Sequence, residues 1–370
     1  MKKRYIISSL VMIVVLFGLS LTAWFKPADD FSESERRKFE QFPELTTETL
    51  LSGKFTSKFE DYATDQFPFR DSWRTLKAYA KFYLFNQKDN NDVYVHDGYA
   101  SKLQTKIDDA SMENALNKMN YLYSTYVKGN TDKVYFSVIP DKSMTLAPEG
   151  NYPSLDYEKI GDYFKDNLDW AKYIDIYPYL DYTDYYKTDT HWRQESIVDV
   201  AETIASAMGA TVEKDYESVT PDKDFYGVYY GQSSLPLPPD KITYLTSDTI
   251  ENCLVYNYEK NNGTVAGDVY DMEKLDSKDP YEMFLSGACS LMRIVNPANE
   301  SGRKLIIFRD SYTSSLAPLL VESYSEVILV DIRYIYSHFV GSIVTKEDFA
   351  DADVLFLYSA MILNDSYSFK

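Results

Sequence analysis

An α/β fold, with a parallel sheet covered on both faces by helices, is predicted from three observations. Short apolar runs without polar alternation recur at 134–139, 305–308, 327–330 and 354–357, as they do in strands buried on both faces. Amphipathic stretches separate them. Residues 111–127 set Met112, Ala115, Leu116, Met119, Leu122 and Tyr123 on one helical face, and 194–208 do the same with Ile197, Val198, Ala201, Ile204 and Ala205. A chain of 370 residues is long enough to bury one large core or two modest ones.

The elements are taken in chain order. Lys2, Lys3 and Arg4 precede an uncharged run over 5–25. At about 1.5 Å per helical residue this run spans a hydrocarbon core of about 30 Å, and its basic flank predicts that residues 1–4 stay in the cytoplasm. The expectation is a single-pass anchor over 1–26 with the rest of the chain outside the cytoplasm. A cleaved signal peptide is the rival, against which the run is long and Leu21-Thr22-Ala23 a poor exit site.

Residues 27–90 read as a membrane-proximal helical segment. Phe31-Ser32-Glu33-Ser34-Glu35 offers a capped start, and Pro68 divides the helical pattern over 53–85 into two helices. From 91 to 370 the α/β rhythm holds. A strand at 93–95 meets a turn at Asp97-Gly98, and another strand is expected at 173–177. Residues 210–300, rich in Tyr, Gly, Pro, Asp and Asn, break the rhythm. They are expected to form loops and a small β insertion crossing the sheet edge, with a hairpin at Asn261-Asn262-Gly263.

Four of the 38 basic residues (Lys2, Lys3, Arg4, Lys26) flank the anchor, leaving 34 against 57 acidic ones, a formal −23. That balance disfavours nucleic acid, which needs a basic face. A neutral or cationic sugar polymer remains compatible. The 34 tyrosines suit ordinary packing or a sugar-binding groove. Cys253 and Cys289, the only cysteines, permit one disulfide but no framework. No cofactor or metal is expected. The three histidines are scattered, no phosphate-cradling glycine motif occurs, and no EF-hand spacing appears.

The chemistry lies in two segments. Lys304 to Phe308 is apolar after its first residue and stops at Arg309-Asp310-Ser311-Tyr312, before a helix-compatible stretch over 313–322. A serine at a strand-to-helix turn sits at the C-terminal end of a sheet, where free backbone N–H groups face a developing negative charge. It also suits a plain helix cap, and Asp310 an ordinary turn. Upstream, Thr188-Asp189-Thr190-His191-Trp192 holds the one Asp-x-His pair. Serine, histidine and aspartate are the set nucleophilic acyl transfer requires. No G-x-S-x-G occurs, which argues against the α/β-hydrolase elbow.

Together Phe31-Ser32-Glu33, Asp65-Gln66-Phe67-Pro68-Phe69-Arg70-Asp71, Pro140-Asp141-Lys142, Asp189-Thr190-His191-Trp192, Phe225-Tyr226-Gly227 and Asp310-Ser311-Tyr312 give the chain, over roughly 31–366, a resemblance to the DHHW family. These exported bacterial proteins are related to alginate O-acetylation proteins of the AlgJ/AlgX type, among the SGNH hydrolases. The resemblance implies an SGNH hydrolase-like domain with a permuted triad order: Asp189 as orienting acid, His191 as base and Ser311 as nucleophile. The N–H groups of Ser311 and Gly227 are the oxyanion-donor candidates, and Trp192 and Tyr312 the substrate-binding ones. The implied activity is O-acetyl transfer to a surface or secreted polysaccharide through an acetyl-serine, the donor coming from a membrane-bound O-acyltransferase partner. A polysaccharide acetylesterase and a non-catalytic glycan-binding scaffold of an export complex are the alternatives. Two departures mark the chain: Thr190 replaces the first His of the family name, and Arg309 takes the place of Gly in a Gly-Asp-Ser motif.

Overall fold

The α/β layering holds in the computed structural model, which describes residues 2–32 and 34–370. The main sheet comprises β1 (Val134–Ile139), β2 (Lys172–Tyr173), β3 (Leu254–Asn257), β4 (Ala266–Gly267), β5 (Leu291–Val295), β6 (Lys304–Arg309), β7 (Glu326–Val330) and β8 (Asp353–Ser359). Their spatial order is β4-β3-β5-β7-β6-β8-β1-β2. From β7 to β2 every pairing is parallel. Alternate residues of the central strands enter opposite cores. Leu305, Ile307, Leu355 and Leu357 pack with Val200, Ala201 and Ile204. Ile306, Phe308, Val354 and Phe356 pack with Met112, Ala115, Met119, Ile160 and Phe164. The helices Val198–Ala207, Asp109–Leu122 and Tyr157–Asn167 thus supply the outer layers, as a doubly buried parallel sheet requires.

Three expectations about the sheet and its connections need correction. The 210–300 region does not merely cross the sheet edge. It supplies β3, β4 and β5, all paired antiparallel, so the sheet is mixed. Its Leu291, Met292 and Ile294 are fully buried against β7, a burial that composition rich in turn residues conceals. The β3–β4 connection is longer than a two-residue hairpin: Tyr258–Asn261 forms a helical turn, and Asn262 and Gly263 come next at φ 54° and 68°. The strand expected at 173–177 stops at Tyr173. The Asp175 carboxylate accepts the Tyr177 N–H at 3.1 Å, and Pro178 opens a 3-10 turn over Tyr177–Tyr179.

The chain divides into two compact units: residues up to Asn91 with Tyr230–Leu237, and Asp92–Tyr229 with Pro238–Lys370. In the first, Lys2–Phe25 is one helix, and Lys3–Phe25 is long and apolar enough to cross a membrane. Phe31-Ser32 starts no helix. It pairs antiparallel with Arg37-Lys38, and the turn between them has Arg36 at φ 53° and the Ser32 hydroxyl accepting the Glu35 N–H. Glu33 lies outside the described residues. The first helix of this stretch begins at Thr47, capped by Thr46. Helices Lys54–Asp65 and Arg70–Tyr79 lie on either side of Pro68, as expected. Cys253 and Cys289 are separate, buried thiols rather than a bridge.

Candidate active site

Ser311 lies two residues beyond the end of β6, at the C-terminal edge of the parallel strands, where open α/β sheets place their crevices. The turn that carries it is fixed by Asp310. One carboxylate oxygen of this buried residue accepts the Tyr312 N–H (3.1 Å), and the other accepts the Ser359 N–H at the end of β8 (2.7 Å). Asp310 is thus the brace between two strand ends. Arg309 is also buried, its Nη1 donating to Ser314 Oγ at 3.0 Å and to the Asp310 carbonyl at 3.3 Å.

Asp189 and His191 ride at the tip of a short β-loop. Tyr185 and Trp192 form an antiparallel bridge, and the Tyr186 N–H donates to the His191 carbonyl at 3.1 Å. The loop's polar groups are then taken up one by one. Asp240 accepts from the Lys187 and Thr188 N–H groups and from the Thr188 hydroxyl, at 2.8–2.9 Å. The Thr188 carbonyl accepts from Tyr229 N–H at 2.9 Å. The buried Lys142 ammonium donates to the Tyr186 carbonyl at 2.5 Å and the Lys187 carbonyl at 3.3 Å. Burial pushes the pKa of Lys142 down to about 8, and raises that of its neighbour Asp141, which accepts from Tyr157 Oη at 2.6 Å.

These two scaffolds bring the three sequence-predicted residues together. His191 Nδ1 lies 2.6 Å from Asp189 Oδ1, and His191 Nε2 lies 2.8 Å from Ser311 Oγ. An ionised carboxylate only accepts, so Nδ1 carries the proton and Nε2 presents its lone pair to the serine hydroxyl. Asp189 is itself held: its Oδ1 accepts the His191 N–H at 3.1 Å and its Oδ2 the Val228 N–H at 2.9 Å. His191 and Asp189 are buried while Ser311 is half-exposed, so the hydroxyl is the group open to a ligand. The Ser311 N–H makes no hydrogen bond among the described residues.

The other expected site residues lie elsewhere in the design. The Gly227 N–H is committed to Thr188 Oγ1 at 2.9 Å and is no oxyanion donor. Gly227 is instead a close-approach residue. A Cβ there would sit 2.3 Å from Asp189 Cβ and 2.4 Å from its Cα, so only glycine lets the following Val228 N–H reach the carboxylate. Trp192 is fully buried in the core and donates Nε1–H to the Tyr312 carbonyl and Ser315 Oγ. Tyr312 is 3% exposed, its hydroxyl donating to the Thr190 carbonyl at 2.7 Å. Neither ring is available to stack on a sugar. Both join the histidine loop to the serine turn. Thr190 takes part in the same joint, its hydroxyl 3.0 Å from Tyr312 Oη.

Sequence reasoning did not single out Tyr281. Its ring stacks on His191 with centroids 3.8 Å apart and planes 9° from parallel, and its hydroxyl pairs with Ser315 Oγ at 2.9 Å. Nothing in the sequence distinguishes this tyrosine from the rest of the 34. Lys142 had a signal, the Pro-Asp-Lys run at the end of β1. Among the described residues no group of three or more His, Cys, Asp and Glu could hold a metal ion.

No family model and no curated protein matches the chain. Solved structures do. A DHHW family protein from Eubacterium siraeum superposes with a TM-score of 0.62 at 22% identity, over 74% of this chain and 93% of its own. The expected resemblance is met in the fold. PatB1 of Bacillus cereus superposes at 0.58 with 18% identity (73% and 96% coverage). Its structure with a sulfonyl adduct superposes at 0.57 with 17% identity (73% and 94%).

Proposed function

We propose that the chain is a serine-dependent acyl transferase that moves an acetyl group to a hydroxyl of a surface or secreted polysaccharide, anchored by Lys2–Phe25 with its site on the extracytoplasmic side. The observation that carries this reading is the continuous Ser311–His191–Asp189 hydrogen-bond chain. Ser311 Oγ attacks the donor's acyl carbon as its proton passes to His191 Nε2. The imidazolium is stabilised by Asp189 and gives that proton to the leaving group as the donor's acyl bond breaks. In the second half the acceptor hydroxyl loses its proton to His191, attacks the acetyl-serine, and Ser311 regains its proton. The Ser311 N–H faces the oxyanion. The Tyr312 N–H, bonded to Asp310, is not a second donor.

The resemblance to the DHHW fold and PatB1's sulfonyl adduct, which makes a sulfonyl reagent the natural probe, support the reading. The test treats the full chain with a sulfonyl fluoride and with a chromogenic acetyl ester. A single adduct on Ser311 and chromophore release, both abolished in Ser311→Ala, are expected. Equal release by wild type and Ser311→Ala, with no adduct on Ser311, refutes the proposal. Added oligosaccharide that becomes acetylated separates transfer from simple hydrolysis.

A further inference from the structure

In the first compact unit, the helix Arg70–Tyr79, continued by a helical turn over Ala80–Leu84, lies the wrong way round for a soluble protein. A surface helix normally turns its apolar stripe to the core. Here the buried residue is Ala78, and the large apolar side chains face out. Trp73, Leu76, Tyr83 and Leu84 are 45%, 57%, 76% and 75% exposed. At about 100° per residue Trp73 and Leu76 lie on the side of the helix opposite Ala78, and Tyr83 and Leu84 follow as exposed residues of the π-helical turn. Phe69 before the helix and Phe85 after its last turn are also exposed. Lys77 and Lys81 run along one flank. Residues 67–88 contain five basic residues and one acidic residue, in a chain of formal charge −19.

We infer that this face is a second membrane contact, seated in the headgroup region of an anionic bilayer. Three observations select that occupant. An apolar span, Lys3–Phe25, precedes it in the same unit with none of its length buried, so the face is tethered to the surface it would enter. The stripe combines Trp, Tyr, Phe and Leu with a lysine flank, the composition of interfacial helices. With Arg70 and Arg74 ion-paired to Glu35 and Asp71, Lys77 and Lys81 carry the charge of the flank, opposite in sign to that of the chain as a whole, which matches anionic headgroups. A second copy docking through the same face would set like charges together. A sugar would need hydrogen-bonding groups between the rings, and positions 76, 80 and 84 offer none. Arg70 and Arg74 tie the helix to the rest of the unit, Arg70 ion-paired with Glu35 at 2.6 Å and Arg74 donating to the Gly231 carbonyl at 2.8 Å.

The inference rests on the anchor reading, and the experiment separates the two. Full-length Leu84→Cys carries an environment-sensitive fluorophore at position 84, the native cysteines being buried. It is reconstituted into vesicles of phosphatidylcholine with or without phosphatidylglycerol. Carbonate-resistant flotation reports the anchor alone. The expected result for the face is a blue-shifted emission, largely lost to brominated lipid, in phosphatidylglycerol vesicles. Lys77→Glu with Lys81→Glu should weaken that quenching while flotation persists. A label that floats with the vesicles yet keeps a water-like spectrum in every composition overturns the inference. So does a spectrum that shifts only when oligosaccharide is added.

Discussion

Gly227→Ala tests how the acid is positioned, without replacing any of the three reacting residues. The new Cβ would start 2.3–2.4 Å from the Cα, Cβ and N of Asp189, and all three belong to a loop with its polar groups already bonded. The clash therefore cannot be relieved by a side-chain rotation. The chains must part by roughly 1 Å to restore ordinary van der Waals separation. Overpacking of that kind costs about 1–3 kcal/mol. Parting also stretches the Val228 N–H bond to Asp189 Oδ2 and the Gly227 N–H bond to Thr188 Oγ1, now both 2.9 Å. A hydrogen bond to a charged group contributes about 1.5–3 kcal/mol. The combined loss of about 3–5 kcal/mol should lower Tm by roughly 10 °C. A 1 Å misplacement of a catalytic group costs on the order of 100-fold in rate, read here as the rate of sulfonylation of Ser311 by intact mass. The control is Gly267→Ala, whose added Cβ meets only the Val255 carbonyl at 3.8 Å and should leave both readouts unchanged. If Gly227→Ala keeps the wild-type Tm and labelling rate, Asp189 is not held as argued.

Tyr281→Leu removes the stack on His191, worth about 0.5–1.5 kcal/mol, and should slow Ser311 labelling by up to roughly tenfold. Tyr281→Phe keeps the stack and should label near the wild-type rate. Equal rates in the two variants would dismiss the stacking role. Lys142 predicts a pH signature. Its folded pKa is depressed to about 8 from 10.5, so between those values the unfolded chain holds the extra proton and stability rises with pH. Below about 8 the burial cost is fully present. Denaturant titrations of Lys142→Met should lose up to about 1.4 kcal/mol per pH unit of that slope, and an unchanged slope would show that Lys142 does not titrate there.

How much was legible in the sequence depends on whether a residue's partners are local. The strands 304–309, 326–330 and 353–359 declare themselves because both their faces are buried and so both are apolar. The Asp189–His191 pair and Ser311 are local motifs, and a strand-to-helix turn fixes where such a serine must lie. The features that stayed hidden are non-local. β5 carries Arg293 between Met292 and Ile294, and its arginine finds its partners in other segments: Glu326, Asp348 and the Ile343 carbonyl. Trp192 and Tyr312 read as ligand-facing aromatics, because nothing in their neighbours shows that each spends its polar atom on the opposite half of the site. Gly227 read as an oxyanion donor, since only the fold reveals Thr188 as its partner. Phe31-Ser32 has a cap's composition, yet Ser32 Oγ closes a hairpin turn.

Arg309, which stands where the resemblance predicts glycine, offers a trade between stability and geometry. The side chain is 1% exposed, and its Nε and Nη2 have no hydrogen-bond partner among the described residues. Nor does any carboxylate there pair with it. A buried charge with only two neutral acceptors loses more in desolvation than it recovers. Those two acceptors, Ser314 Oγ and the Asp310 carbonyl, lie on either side of Ser311. The guanidinium therefore spans the nucleophile's turn from the inside, where a glycine would leave it to the backbone alone. Arg309→Met keeps most of the volume, removes the charge, and drops the span. Replacing buried ionic groups by apolar ones of similar size is neutral or stabilising by about 1–4 kcal/mol, so Tm should hold or rise while Ser311 labels more slowly. A variant that loses stability would mean that the charge is compensated. One that labels at the wild-type rate would mean that Asp310, bonded to Tyr312 and Ser359, holds the turn without it.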